Sequence, residues 1–205
     1  MKKLLVSLAS SVLFLSTAVN AEVRFDDLSV LSQSQRDAYT VESIAAMNQQ
    51  DLEILYASLD SGSMPEGEYR GTVVFDDSES NEIERLLAIV SPYGHLESII
   101  KKLGVSIWKG KIFDNQTKSL TNRIGFLKQY PAHVFCGQSL LDSRRESIVL
   151  DYNYADTLAH YVPLVDWTMT RKGLGIRDEI RMVHPGLYLG RAYVKGTFAL
   201  NFILE

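Results

Sequence analysis

Between residues 41 and 59 the apolar side chains return every three or four positions, at Ile44, Met47, Leu52, Leu55, Tyr56 and Leu59. That period predicts a helix with one buried face, stopped by Ser61-Gly62-Ser63-Met64-Pro65. A second helical stretch is expected from Ser80, with Ile83, Leu86, Leu87 and Val90 on one side. Pro92 and Gly94 interrupt it, and Leu96, Ile99, Ile100 and Leu103 resume the period up to Gly104.

Elsewhere the pattern shortens to strand-like runs rich in β-branched and aromatic residues. They cover Glu68 to Asp76, Val105 to Asp114, Leu120 to Leu127, His133 to Gln138, Ser147 to Asn153, Ile176 to Val183, Leu187 to Lys195 and Phe198 to Leu204. His184-Pro185-Gly186, Asp142-Ser143-Arg144-Arg145 and Lys195-Gly196-Thr197 supply turn chemistry between them. Tight turns make neighbouring strands antiparallel, because a parallel return needs roughly a dozen residues or more. About eight such strands tend to close on themselves and so remove their exposed edges. The expected fold is therefore mainly β with minor α, an antiparallel barrel or rolled sheet over residues 64–205. A helical segment, 22–63, precedes it, and the stretch 80–103 forms a helical insert.

Three strands carry a related signal. Tyr69-Arg70-Gly71, Trp108-Lys109-Gly110 and Tyr188-Leu189-Gly190 each set an aromatic residue two before a glycine. Glycine inside a strand costs about 0.5–1 kcal/mol unless its bareness is used. The uses to expect are a sharp bend or an aromatic ring lying over the bare backbone.

Together with Gly67-Glu68, Lys111-Ile112-Phe113-Asp114, Ile148-Val149-Leu150-Asp151-Tyr152, Asp178-Glu179-Ile180-Arg181 and Gly186-Leu187, these residues run in an order that resembles the uncharacterised proteins named for a Gly-x-Trp-x-Gly motif. The likeness spans roughly residues 64–205, with Tyr69 where the family name has Trp. It implies a small lipocalin-like barrel and no particular chemistry.

At the start of the chain, Lys2 and Lys3 precede an apolar run from Leu4 to Val19 that closes on Val19-Asn20-Ala21. That order is a cleavable signal peptide over residues 1–21, with a run shorter than the ~20 residues of a membrane-spanning helix. The expected product is periplasmic or secreted, without a transmembrane anchor. The leader takes two lysines and no acid from 21 basic and 25 acidic residues, leaving a net charge of -6. That sign argues against nucleic acid as a partner, which calls for a basic face. The single cysteine, Cys136, has no internal partner for a disulfide and reads as a small buried strand residue.

Familiar catalytic signatures are missing. Ser98-Ile99-Ile100-Lys101 has the spacing of penicillin-recognising enzymes without their other elements. Histidines 95, 133, 160 and 184 lack metal-ligand spacing, and no phosphate loop or dinucleotide fingerprint occurs, so no metal or cofactor is expected.

Charge within strands is more suggestive. Alternation puts Asp178 with Ile176, Ile180 and Met182, and Glu179 with Arg177, Arg181 and Val183. The more charged set is expected to face out as a solvated ladder of ion pairs. Facing in, an arginine paired with an acid would hold a ligand carboxylate or headgroup by parallel hydrogen bonds. On that second basis the candidate ligand-binding residues are Arg191, Arg181 and Asp151, with the aromatic residues Tyr188, Tyr193, Trp108 and Tyr69. The apolar stretch from Leu158 to Gly175 is a candidate lid.

Three functions fit these features. One is a binding protein holding a small apolar or amphipathic molecule in a barrel cavity. Another is an interaction module with a filled barrel that docks a protein through helix 41–60. The third is an enzyme using Asp151, His184 or Glu179 as acid and base.

Overall fold

The computed structural model describes residues 24–74 and 108–205. The stretches expected as a leader, 1–21, and as a helical insert, 80–103, lie outside the described residues. Eight strands, β1 Gly67–Val74, β2 Trp108–Asp114, β3 Ser119–Ile124, β4 Leu127–Gln138, β5 Glu146–Asp151, β6 Ile176–His184, β7 Leu187–Val194 and β8 Thr197–Leu204, close into one barrel. Each pairs antiparallel with its neighbour in sequence, and β1 pairs β8 to complete the ring. Connections β3–β4, β5–β6 and β7–β8 lie at one end, called upper below, with the end of β1 and the start of β2. The other three lie at the lower end.

The expected turns appear as hairpins at Pro185-Gly186 and at Lys195-Gly196, where both residues take positive φ, 49° and 81°. That pair of angles matches the twist of a two-residue hairpin. One boundary differs from expectation. The run Leu120 to Leu127 is divided by a turn at Gly125-Phe126, with Gly125 at φ 58°, so Leu127 already belongs to β4.

Glycine is used where a side chain would collide. A Cβ at Gly71 would strike the Trp108 ring, and one at Gly190 the Phe202 ring. Both rings lie over bare backbone and meet edge-to-face with centroids 5.7 Å apart. Gly110 serves the other use, a bend: at φ 133° it sits in the bulge between Trp108 and Lys111, pressed on the Tyr69 backbone. The bulge shifts the alternation of β2, so Trp108 and Lys111 both point inward although three residues apart.

The helix expected over 41–59 is two helices, α2 Val41–Ala45 and α3 Gln49–Ala57, preceded by a single turn, α1 Gln33–Arg36. Asn48 divides them because its side chain caps α3, accepting from the Asp51 backbone N–H at 2.9 Å. Leu52, Leu55 and Tyr56 of α3, with Ile44 and Leu59, pack on Val74, Val183, Leu187, Leu189 and Ile203 of the barrel's outer wall. The apolar face expected to be free for a partner is thus spent on this chain's own barrel. Burying five large side chains contributes roughly 1.5–3 kcal/mol each before ordering costs.

A second apolar cluster fills the barrel, built from Phe113, Leu120, Ala132, Val134, Ile148, Leu150, Tyr152, Ile180, Tyr188, Phe202 and Leu204. At the lower end the segment leaving α3 is hydrogen-bonded to it. Tyr188 Oη donates to the Ser63 carbonyl at 2.9 Å, and the Met182 N–H to the Ser61 carbonyl at 3.3 Å.

Candidate functional site

Inside the upper half of the barrel four polar side chains from different strands converge. Lys111 of β2 donates from Nζ to Asn122 Oδ1 of β3 at 3.0 Å, to Tyr152 Oη just beyond β5 at 2.7 Å and to Asp178 Oδ2 of β6 at 2.8 Å. Only a position within the ring reaches all three. Asn122 also accepts from Trp108 Nε1 at 3.0 Å, and its own amide donates to the Tyr130 carbonyl and to Tyr152 Oη, both at 2.9 Å. Tyr152 Oη in turn donates to Asp178 Oδ2 at 3.3 Å.

Aromatic rings wall this cluster. Lys111 Nζ stands 5.5, 5.3 and 5.1 Å from the ring centroids of Trp108, Tyr152 and Phe202. Such faces attract a cation. Burial alone would lower the Lys111 pKa, but the Asp178 carboxylate and the Tyr152 oxygen outweigh it and the pKa is raised. Burial is also the main cause that pushes Tyr152 up to about 12, so its hydroxyl stays protonated at neutral pH.

Trp108, Tyr130, Met169, Ile176, Ala192 and Leu200 pack on the interior core yet stay only half-buried. These residues lie toward the upper end of the barrel, beyond Lys111 and Asp178. The stretch from Leu158 to Gly175 lies at the same end. Its short helix α4, Pro163–Asp166, is fixed by Asp166, which accepts from the Tyr130 N–H at 3.0 Å and the Val162 N–H at 2.7 Å. Met169 and Leu174 turn toward the barrel's apolar clusters, whereas Leu164 and Trp167 point to solvent, 87% and 44% exposed.

Of the residues singled out from sequence, Tyr69, Trp108 and Tyr188 all lie on the barrel's interior core. The Tyr69 ring stands edge-on to Tyr188 at 5.5 Å and to Phe113 at 5.7 Å. Arg181, Arg191 and Tyr193 are elsewhere, on the outer wall beneath α3. Outward they are, as alternation requires, but solvated they are not: Arg181 and Arg191 are among the most deeply buried side chains. The helices cover this wall, and each guanidinium has been given a partner there.

Arg181 Nη1 pairs with Asp142 Oδ2 at 2.7 Å and donates to the Tyr56 carbonyl at 3.0 Å, while its Nε donates to Ser147 Oγ at 3.1 Å. Arg191 Nη2 pairs with Glu53 Oε1 of α3 at 3.1 Å, and its Nε donates to Tyr193 Oη at 3.0 Å. These arginines clamp helix to barrel and do not reach the interior. Asp151 faces outward at the end of β5, where its Oδ1 accepts from Asn153 N and Nδ2, both at 2.9 Å.

The three candidate acid–base residues are likewise apart. Glu179 accepts from Ser139 Oγ at 2.8 Å and pairs with Arg177 at 2.8 Å. His184 Nε2 contacts the Tyr39 carbonyl at 3.2 Å. Among the described residues no three His, Cys, Asp or Glu side chains gather as metal ligands would.

Cys136, expected to be buried, is exposed. It stands opposite Ile148 on the inward side of β4, but at the lower rim, where the barrel ends. There it joins Met64, Lys118, His133, Val134 and Phe135 around an open groove of about 420 Å³. That groove has none of the polar convergence seen at Lys111.

Neither Lys111 nor Asn122 is among the residues the sequence singles out, although each stands two residues from an interior core position, Phe113 and Leu120. Asp178 was placed with Ile176, Ile180 and Met182, which is the inward set.

No family profile matches the chain, and no curated protein is similar to it at a significant level. One solved structure, the crystal structure of a protein from Thermomonospora curvata, superposes with a TM-score of 0.51 at 17% identity, covering 85% of this chain and 97% of that one. Similarity at that identity extends to the barrel fold.

Proposed function

We propose that this chain is an exported, lipocalin-like binding protein, akin to the Gly-x-Trp-x-Gly proteins, that holds a small amphipathic molecule in the upper half of its barrel. One observation carries this reading: inward-facing apolar residues stop short of full burial around a buried Lys111–Asp178 pair. A barrel built only for stability gains little from such a pair, since well-packed apolar side chains of similar volume are often as stable or more so. An apolar recess with a few polar anchors is what a small-molecule site requires. Trp108, Tyr130, Met169 and Leu200 would pack on the ligand's apolar body, and the cluster below would meet its polar end.

The test is native mass spectrometry of the protein purified from its own envelope, with fluorescent lipid probes added to the stripped protein. A co-purifying small molecule displaced by the probes is the expected result. A protein that carries nothing and leaves every probe free overturns the reading.

A second reading, a protein-interaction module, draws on different observations. The lower interior is packed, and Phe126 at the β3–β4 hairpin tip is fully exposed at the same end as Leu164 and Trp167. On that reading the partner docks on the upper rim and not on helix 41–60.

A further inference from the structure

Hydrogen-bond accounting within the interior cluster specifies what its ligand must present. Lys111 has three ammonium protons, and all three are committed, to Asn122, Tyr152 and Asp178. Asn122 is equally complete: its oxygen accepts from Trp108 and Lys111, and its amide donates to Tyr130 and Tyr152. Tyr152 Oη accepts from Lys111 and Asn122 and spends its proton on Asp178. Asp178 receives both of its bonds on Oδ2. Among the described residues nothing donates to its second oxygen, Oδ1. The Asp178 side chain keeps 7% of its surface exposed.

The one open valence is therefore an acceptor. A carboxylate or phosphate would find no free proton on Lys111 and would meet the Asp178 charge in a poorly screened interior. A ligand ammonium would satisfy Oδ1 but bring a second cation beside Lys111, unbalancing a pair whose net charge is zero, and burying an unpaired charge is costly. A neutral hydroxyl donates one proton to Oδ1 and adds no charge.

Resting on the binding reading above, we propose that the barrel ligand is a neutral amphiphile anchored by a hydroxyl group on Asp178, in the class of long-chain alcohols and not of fatty acids. The full chain is titrated at neutral pH with a long-chain primary alcohol and with the carboxylic acid of equal chain length. The alcohol is expected to bind at least tenfold tighter. Equal binding, or tighter binding of the acid, overturns the hydroxyl assignment and leaves a binding barrel standing. If neither binds, the assignment falls together with the reading it rests on.

Asp178→Asn supplies a second measurement that a purely structural role would not move. It keeps the shape and an acceptor oxygen while leaving the Lys111 charge uncompensated, so the preference should shift toward the acid by tenfold or more. A variant that stays folded and keeps the wild-type alcohol-to-acid ratio overturns the assignment to Asp178.

Discussion

Lys111 Nζ lies 2.8 Å from Asp178 Oδ2 at the centre of a barrel whose other inward side chains are mostly apolar, and their side chains are 3% and 7% exposed. Removing one member strands the other charge. Lys111→Met or Asp178→Leu alone should therefore cost about 3–5 kcal/mol, whereas the double variant should recover most of that loss. Denaturant unfolding of the three variants forms the cycle. Additive losses would show that the two side chains do not act as a pair.

The same cluster sets an alkaline limit. Tyr152 is raised to about 12, chiefly by burial, and Lys111 is raised because Asp178 and Tyr152 outweigh its desolvation. Both bind their proton more tightly folded than unfolded. Their stabilisation is thus fully present below the unfolded values near pH 10 and is lost as pH rises through the folded ones. From Tyr152 alone the fall should be on the order of 2–3 kcal/mol by about pH 12. Unfolding followed against pH by tyrosinate absorbance tests this, and Tyr152→Phe should flatten the decline.

Gly71→Ala and Gly190→Ala place a methyl group against the Trp108 and Phe202 rings. Overpacking of this kind should cost about 1–3 kcal/mol in each case. Phe202→Leu should relieve the cost of Gly190→Ala while adding to that of Gly71→Ala, a contrast readable in thermal unfolding of the single and paired variants.

Much of this architecture was legible in the chain because strands written with period two leave their signature residue by residue. The hairpin at Lys195-Gly196 and the alternation of Asp178 against Glu179 came through from local pattern alone. The bare backbone at Gly71 and Gly190 also signalled a covering ring, although the rings arrive from Trp108 and Phe202 and not from the aromatic two residues earlier. What stayed hidden depends on tertiary cover. Nothing near Arg191 in sequence says that Glu53 of α3 will lie over it, so an outward charge could be read only as solvated or as turned inward. Lys111 alternates with Phe113 of the core, but nothing in β2 says that Tyr152 and Asp178, distant in sequence, will meet its charge.

The helix-covered wall gives the last prediction, because Arg181 is its most fully tied residue. Its guanidinium holds Asp142 of the β4–β5 connection, the Tyr56 carbonyl of α3 and Ser147 of β5, and stacks on the Tyr56 ring with its carbon 4.7 Å from the centroid. Arg181→Met keeps the apolar stem but leaves Asp142 buried without its cation, at a cost of about 3–5 kcal/mol. The loss should be local before it is global. Amide exchange in α3 and in residues 139–145 should accelerate together, while the inward network around Lys111, reached from the other face of the sheet, keeps its protection. Asp142→Asn in the same background removes the stranded charge and should restore a large part of the stability. Uniform acceleration across all eight strands would mean that Arg181 supports the barrel itself and not the attachment of its helical cover.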